Sequence, residues 1–330
     1  MDVSIIFSGA ILAALGPTAA GYALSAIGLN VHFGYTGLLN FGQVAFMLVG
    51  AYGMASAVSI FGLSLWAGVL VGIACAIVLA LLLGAPTLRL RSDYLAIATI
   101  AAGEILRIFY RSSYAEPVTG GVYGLQQFAD AFYALNPLAA GRYGPDFVSF
   151  NARDLWVMIV GWGLVALASV LVYLLIHSPW GRVIRSIRED ENAARSLGKN
   201  VYSYKMQSLV LGGVIGALGG MLLAISTQSV SPNGFLPIVT FFLYTLLILG
   251  GAGRIFGPIL GSVLFWFVVV GVDIALGEAI TAGYIPAELI SPAETGAVRF
   301  ALVGLGLLLL MVFRPQGILG RREEMVLDDS

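Results

Sequence analysis

The feature that most constrains this sequence is a series of apolar runs, each long enough to cross a lipid bilayer. A membrane-spanning helix needs about 20 mostly apolar residues, or about 17 where the fit is tight. Seven runs meet this length, at residues 5–27, 38–60, 63–83, 155–176, 206–225, 255–276 and 297–313, and two shorter or more polar runs lie at 94–110 and 235–249. We therefore predict an all-α, polytopic transmembrane helical bundle of about nine spans, which forms a single transmembrane domain over residues 1–330.

The composition excludes several other classes of protein. Of the 330 residues, 59% are hydrophobic and only 11% are charged, whereas soluble domains carry about 25% charged residues. The net charge of −1 provides no basic field that would hold nucleic acid. The single cysteine, Cys75, and two distant histidines, His32 and His177, do not form the ligand cluster of a metal site. We expect a lipid bilayer as the surroundings, with no metal ion and no nucleic-acid partner.

Basic residues predict the orientation, because short loops rich in Lys and Arg stay cytoplasmic. The basic positions are Arg89, Arg91, Arg182, Arg185, Arg188, Arg195, Lys199, Lys205, Arg254, Arg314, Arg321 and Arg322. If each span crosses the membrane once, all of these basic residues fall on the same side of it. Residues 273–296 are acidic and fall on the other side. This predicts an external N-terminus, a cytoplasmic C-terminus, a cytoplasmic loop at 178–205 and an external, turn-rich loop at 112–154.

Two arginines disagree with this orientation. Arg107 and Arg111 fall at the outer end of the short span at 94–110. Either that segment is partly re-entrant, or these arginines pair with nearby acids such as Glu104 or Glu116.

The loop at 178–205 has a helical pattern of charges. Arg182, Arg185 and Arg188 recur every three residues and predict one basic helix face, with isoleucines on the other face. A second short helix is predicted after the acidic residues 189–191, with Gly198 at its end. The pattern alone fits two roles equally well, either docking of a partner protein or anchoring to anionic lipid headgroups.

The chain has no phosphate-binding loop of its own. Such a loop requires Gly-x-x-x-x-Gly-Lys-Ser/Thr. The one Gly-Lys pair, Gly198-Lys199, is followed by Asn200, and residue 193 is alanine. Any use of ATP must therefore depend on a partner subunit, and we expect this chain to be neither an enzyme nor the holder of a cofactor.

Four stretches together resemble a known family, the LivM-type permease subunits of bacterial ABC importers for branched-chain amino acids. They are GLNVHFGYTGLLNFG at 28–42, PTLRLRSDYLAIAT at 86–99, the cytoplasmic stretch 178–199 and LGGAGRIFGP at 249–258, and the tail at 313–318 also fits. The resemblance implies a multi-pass protein of the bacterial cytoplasmic (inner) membrane. It also implies a second, homologous permease subunit, two ATPase subunits that bind ATP, and an external or periplasmic substrate-binding protein.

The same resemblance implies a coupling helix. Permeases of ABC importers carry a cytoplasmic Glu-Ala-Ala-x-x-x-Gly motif that docks on the ATPase. Here Ala193, Ala194 and Gly198 match the spacing, Arg195 lies within the motif, and the nearest acid, Glu191, stands one position out of the pattern. Residues 191–198 are therefore expected to dock on the ATPase, whereas the displaced acid leaves the role of Glu191 open.

Two sets of residues are candidates for the translocation path. Glycines and polar residues interrupt the apolar sequence at 28–42, and freed backbone groups survive at membrane depth only in a protein interior or a wet cavity. One interpretation is a broken segment that exposes Asn40 and Gln43 to substrate, and the other is a plain cytoplasmic turn. Glu104 and Arg107 share a helix face and form the second set, as a substrate site or as a structural pair.

Gly212, Gly216 and Gly220 recur every four residues and predict a stripe for close helix–helix packing. Two other functions remain open at this point: a self-contained, ion-coupled carrier or channel for a small polar solute, and an ABC importer for urea or amides. An intramembrane enzyme would need a cluster of Ser/His, Asp/Asp or metal ligands, and the histidines lie at span ends without such partners. The exact substrate and the identity of the second permease are not encoded in any of these patterns.

Overall fold

The computed structural model of the protein describes residues 3–145, 147–282, 284, 296–298, 301–302, 304–305, 308 and 316–320. Its helices are α1 (Val3–Leu15), α2 (Pro17–Leu29), α3 (Gln43–Ser59), α4 (Leu65–Thr87), α5 (Ser92–Arg111), α6 (Glu116–Thr119), α7 (Asp130–Ala134), α8 (Ala152–His177), α9 (Pro179–Glu189), α10 (Glu191–Ser196), α11 (Val201–Thr227), α12 (Ile238–Gly250) and α13 (Gly257–Thr281). A π-helical segment, Asn30–Tyr35, continues α2, and a 3₁₀ helix spans Pro232–Phe235. The predicted span at 297–313 lies largely outside the described residues.

Four described helices are long and apolar enough to cross a membrane, namely α4, α8, α11 and α13. They confirm the runs predicted at 63–83, 155–176, 206–225 and 255–276. The bent pair formed by Val3–Leu15 and Pro17–Tyr35 adds a fifth candidate if it counts as one span. The protein is thus a polytopic helical membrane protein, whereas the total of nine spans stays a prediction.

The run predicted as a span at 5–27 is not one straight helix, because the chain bends by 43° between α1 and α2. Gly16 is extended (φ −67°, ψ 174°) and Pro17 is the first residue of α2. Proline has no backbone N–H and disfavours the α conformation in the residue before it, so a helix begins here more readily than it continues.

Two further apolar runs form helices shorter than a full span. The run at 38–60 becomes α3, which begins only at Gln43, because residues 37–42 leave the helical conformation and Gly37 has φ +74°. The run at 235–249 becomes α12, a helix of 13 residues that starts after Pro237. Hydropathy alone does not locate these helix starts, since most of the excluded residues, such as Leu38, Leu39 and Leu236, are apolar too.

The core forms where α11 packs between α2 and α3. The three predicted stripe glycines lie on these contacts. A methyl group on Gly212 would lie 2.4 Å from the Gly28 carbonyl oxygen, and one on Gly220 would lie 2.3 Å from the Met47 carbonyl oxygen. On Gly216 it would lie 2.2 Å from Gln43 Nε2. Glycine is therefore required for α11 to approach its neighbours at this distance.

The long loop predicted at 112–154 packs on the bundle and holds two short antiparallel ribbons. Strand β1 (Leu125–Gln126) pairs with β4 (Ser229–Val230), which follows α11, and β2 (Arg142–Tyr143) pairs with β3 (Phe150–Asn151). Leu125, Phe128 and Phe132 are buried in the main hydrophobic core. In the described residues these ribbons are the β-structure of an otherwise helical fold, and part of the loop packs into the same core as the helices.

Candidate functional site

A hydrogen-bonded polar network holds the break between α2 and α3. His32, in the π-helical segment, contacts the Leu209 carbonyl through Nε2 at 3.1 Å and Asn40 Nδ2 through Nδ1 at 3.1 Å. A carbonyl oxygen only accepts, so Nε2 is the protonated nitrogen and Nδ1 accepts from the amide of Asn40. The other donor of that amide reaches Gln43 Oε1 at 3.1 Å. The neutral tautomer of His32 therefore fits its two partners.

Gln43 connects this network to α11. Its Nε2 donates to the Gly212 carbonyl at 3.2 Å and to the Ser25 carbonyl at 3.4 Å. The Gln43 side chain occupies the space that a side chain at position 216 would need. The glycine stripe and the polar network therefore form one packing unit, with glycine supplying the space that the glutamine fills.

The expected exposure of Asn40 and Gln43 is wrong for this structure. Asn40 is 1% exposed and Gln43 is 0% exposed, because hydrogen bonds within the chain hold both side chains inside the core. The broken segment is also not a plain turn, since six of its residues form the buried π-helical segment. A role of these two residues along a transport path stays a prediction.

Two hydroxyl groups from other helices satisfy backbone amides at the start of α3. The Phe41 amide donates to Thr99 Oγ1 on α5 at 3.1 Å, and the Val44 amide donates to Thr240 Oγ1 on α12 at 3.1 Å. The Phe41 ring also stacks on Tyr244 with 4.4 Å between the ring centroids. Sequence analysis missed these partners, because threonine within an apolar run gives no signal of where its hydroxyl points.

Glu104 and Arg107 form a bidentate ion pair on α5. Arg107 donates from Nε to Oε2 at 2.8 Å and from Nη2 to Oε1 at 2.6 Å. The arginine side chain is 10% exposed and the glutamate side chain 33%. The predicted pairing of Arg107 with Glu104 is confirmed, and it accounts for one of the two arginines that disagreed with the predicted orientation.

The amphipathic pattern predicted for 178–205 corresponds to α9. Ile184 and Ile187 are buried, whereas Arg182, Arg185 and Arg188 are exposed. Arg188 alone of these three reaches back into the bundle, where Nη1 donates to the Gly34 carbonyl at 2.5 Å. A contact therefore joins α9 to the π-helical segment at the break.

The predicted coupling residues lie in and just after α10. Asp190 caps this helix by accepting from the Asn192 and Ala193 amides. Glu191 accepts from both Arg195 and Lys205. The acid that stands out of the family pattern therefore ties α10 to α11, and its role in docking stays a prediction.

The two alanines of the motif face opposite ways. Ala193 is exposed, whereas Ala194 is 2% exposed and packs with Ile187 and Val201. Ala194 is therefore part of the core under α10, and its contact with a partner stays a prediction. Leu197, one turn after Ala193, is 78% exposed and was missed by sequence analysis. Gly198 follows with φ +75°, which favours glycine.

A family model described as "Branched-chain amino acid transport system / permease component" matches residues 11–312. The permease protein LivM of the high-affinity branched-chain amino acid transport system of Escherichia coli K12 is 30% identical over 308 residues, which are 90% of this chain and 67% of LivM. A probable LivM of Methanocaldococcus jannaschii is 27% identical and covers 90% of both chains.

A second permease of the Escherichia coli system, LivH, is 28% identical over 314 residues, 92% of both chains. A solved structure, PsaBC from Streptococcus pneumoniae in complex with Fab, matches over 95% of this chain and 92% of its own, with a TM-score of 0.43 and 15% sequence identity. The match to the family model over almost the whole length, together with the LivM relatives, decides the assignment: the chain belongs to the family of permease components of branched-chain amino acid transport systems.

Proposed function

We propose that the chain is the LivM-type subunit of an ATP-driven importer that moves branched-chain or other small neutral amino acids across the bacterial cytoplasmic membrane. The observation that carries this proposal is the family match over residues 11–312. In this role the chain contributes membrane spans and performs no covalent chemistry. Within the described residues, no cluster of three or more His, Cys, Asp or Glu side chains is placed to hold a metal ion.

The end of the bundle that holds α9 and α10 faces the cytoplasm in this proposal, and the ribbons face outside. Arg182, Arg185 and Arg188 lie at the first end, and the described part of the loop at 112–154 lies at the other. The excess of basic residues in short loops supports this orientation. The N-terminus is then external, the C-terminus is cytoplasmic, and an external substrate-binding protein meets the loop at 112–154.

Two ATPase subunits supply the energy, and one of them docks on α10. The exposed Ala193 and Leu197 form the contact face, while Glu191 and Arg195 fix the helix and Gly198 ends it. Asp190 and Lys205 hold this short helix in one orientation against the bundle. ATP binding then shifts the balance between inward-open and outward-open states by favouring one of them.

The translocation path lies between this chain and a second, homologous permease. Glu104 and Arg107 stand beside it as candidate partners for the ammonium and carboxylate of an amino acid. Asn40 and Gln43 are in the core in the present state and reach the path only if the break between α2 and α3 rearranges. The substrate class rests on the family, because external binding proteins set most of the selectivity of such importers.

The test is to purify the tagged chain from its native membrane in mild detergent and to reconstitute what co-purifies. We expect two ATPase polypeptides and a second permease, and ATP-dependent uptake of leucine, isoleucine or valine once the binding protein is added. Urea and acetamide are the competing substrates. Uptake by the chain alone, without ATP, would establish the self-contained carrier instead.

A further inference from the structure

A small polar cavity lies at the end of the bundle that holds α9 and α10. Residues from the break between α2 and α3, from the turn between α4 and α5, and from helices α5, α9, α10 and α11 line it. We call this cavity, whose charged lining residues are Arg91, Arg188, Glu191 and Lys205, the basic pocket. Its volume is about 250 Å³, below the range of about 300–1,000 Å³ that is usual for drug-sized ligands. A ligand of this pocket is therefore small.

The charge of the lining favours an anion. Three of its four charged side chains are basic. The one acid, Glu191, already forms ion pairs with Arg195 at 2.8 Å and with Lys205 at 2.5 Å. Across the described part of the chain, no acid lies within ion-pair distance of Arg91 or Arg188. The two arginines therefore leave the basic pocket with positive charge that the chain's own acids do not neutralise.

The Arg188 side chain is fixed at the wall of the pocket. Its Nη1 donates to the Gly34 carbonyl at 2.5 Å, the one hydrogen-bond partner of this side chain among the described residues. A methyl group on Gly37 or Gly253 would lie 3.3 Å from the arginine side chain, so the backbone packs closely around it. A guanidinium carries several N–H donors in a planar fork. The donors that do not contact Gly34 are therefore available to a ligand with several oxygen atoms.

The start of α5 borders the same pocket, through Ser92 and Leu95. In this helix of 20 residues, the Leu95 amide is the first to find an acceptor, the Arg91 carbonyl at 3.0 Å. The amides of Ser92, Asp93 and Tyr94 precede the first turn of hydrogen bonds, and no described residue accepts from them. The Asp93 side chain does not line the pocket. Free amides at a helix N-terminus bind anions, and the helix dipole strengthens that binding.

We infer that the basic pocket binds a phosphate-type oxyanion, either a soluble phosphate group or the phosphate of an anionic lipid headgroup. Phosphate oxygens point in several directions, so one group can accept from Arg91, from Arg188 and from the start of α5 at once. Hydrogen bonds between such charged groups are about twice as strong as those between neutral groups. The inferred site goes beyond the proposed function, and binding is measurable on the full chain without any partner subunit.

Glu191 competes with the anion for Lys205. The Lys205 side chain is 13% exposed and lines the pocket, but its ammonium pairs with the Glu191 carboxylate. Removing the negative charge of Glu191 should free Lys205 for the ligand. Glu191→Gln should therefore bind phosphate more tightly than the unmodified chain, a result that a misfolded variant would not give.

The test uses the full chain in nanodiscs of zwitterionic phosphatidylcholine. Its unfolding midpoint is measured over a range of potassium phosphate concentrations, against potassium chloride at equal ionic strength and pH. We expect phosphate to raise the midpoint by a few degrees, because a ligand of the native state stabilises it. Phosphate also stabilises proteins through its exclusion from their surfaces, so variants must identify the part that comes from the pocket.

Arg91→Gln should abolish that part, whereas Arg182→Gln should keep it. Arg91 is exposed and has no ion-pair partner among the described residues, so its loss should not disturb the fold. Arg182 is the matched control, because it is an exposed arginine of α9 that does not line the pocket. Glu191→Gln should enlarge the phosphate effect. A phosphate effect that is equal in the unmodified chain and in Arg91→Gln would overturn the inference, as would an equal loss in Arg182→Gln.

Nanodiscs that contain phosphatidylglycerol distinguish the two sources of phosphate. If a lipid headgroup fills the pocket, phosphatidylglycerol raises the midpoint of the unmodified chain but not that of Arg91→Gln, and added phosphate has no further effect. If the ligand is soluble, the phosphate effect is the same with and without phosphatidylglycerol. Either result supports an oxyanion site, and no effect of phosphate or of phosphatidylglycerol overturns it.

The same titration is repeated on the complex with co-purified ATPase, without nucleotide. A phosphate effect that persists there supports the site in the assembled transporter. An effect that disappears would show that the ATPase fills the basic pocket, and would overturn the inference for the complex. If no ATPase co-purifies at all, the proposed function fails, while the binding result on the chain itself still stands.

Discussion

The hydroxyl oxygen of Thr240 on α12 lies 3.1 Å from the backbone nitrogen of Val44 at the start of α3 and accepts its hydrogen bond. The first four amides of a helix have no partner within the helix. Since α3 begins in the core, where Thr240 is 0% exposed, water does not supply one. The Thr240 side chain on α12 thus supplies the hydrogen-bond acceptor for a backbone amide of α3.

Thr240→Val should therefore destabilise the protein. The change keeps the size of the side chain but leaves the Val44 amide buried without an acceptor, which costs about 1–3 kcal/mol. Thermal unfolding in detergent, followed by intrinsic fluorescence, measures the effect. Thr245→Val, at a half-buried position of the same helix, is the control and should change the midpoint little; equal midpoints for the two variants would contradict the capping role.

Gly220→Ala tests the close packing of α11 on α3. The added methyl group would lie 2.3 Å from the Met47 carbonyl oxygen and 2.6 Å from Met47 Cα. These are backbone atoms and do not move aside, so we expect a loss of about 1–3 kcal/mol from overpacking. Gly163→Ala on α8 meets nothing within 4 Å and should be neutral or slightly stabilising, because alanine favours the helix. A lower unfolding midpoint for Gly220→Ala than for Gly163→Ala is expected. The reverse order would contradict the close packing of α11 on α3.

Arg188→Ala should weaken the link between α9 and the break between α2 and α3. Arg188 on α9 donates to the Gly34 carbonyl, next to Gly37 and Gly253. We expect several-fold lower amino acid uptake with ATPase subunits still bound, so that less substrate moves for each ATP hydrolysed. The rate of amino acid uptake and the rate of ATP hydrolysis are measured in the same proteoliposomes.

The control for Arg188 is Arg185→Ala, an exposed arginine on the same helix. It removes one positive charge without removing the contact to Gly34. An equal loss of uptake in both variants would show that charge at the membrane surface, rather than the contact, matters. Arg188→Lys keeps the charge and should retain more uptake than Arg188→Ala but less than the unmodified protein. The lysine side chain is shorter, and its ammonium group does not reproduce the hydrogen-bond geometry of the guanidinium.

Ala193→Trp and Leu197→Ser should each reduce binding of the ATPase. Ala193 on α10 is exposed, and Leu197, one turn later and directly after α10, is 78% exposed. The indole blocks a close approach, and the serine removes an apolar contact. Co-purified ATPase is the measurement, and Arg185→Trp on α9 is the control for size. Normal binding in both variants would exclude α10 as the docking helix.

Much of this protein follows from one-dimensional patterns. The apolar runs predicted the four long helices α4, α8, α11 and α13 to within a few residues, because a helix in a bilayer must satisfy its own backbone. The spacing of Gly212, Gly216 and Gly220 predicted a packing stripe, and three-residue spacing predicted the pairing of Glu104 with Arg107. In each case the residues that form the pattern lie on one face of one helix.

The tertiary structure decided the rest, and the reason is physical. Hydropathy measures the preference of a residue for an apolar medium and does not distinguish lipid from protein interior. The late start of α3, the burial of Asn40 and Gln43, and the opposite exposures of Ala193 and Ala194 depend on groups more distant in the sequence. The Thr240 hydroxyl, the Gly212 carbonyl and Val201 are such partners. Sequence alone determined which segments are helical and apolar, whereas three-dimensional packing determined where they break, because only packing supplies distant partners for the freed backbone groups.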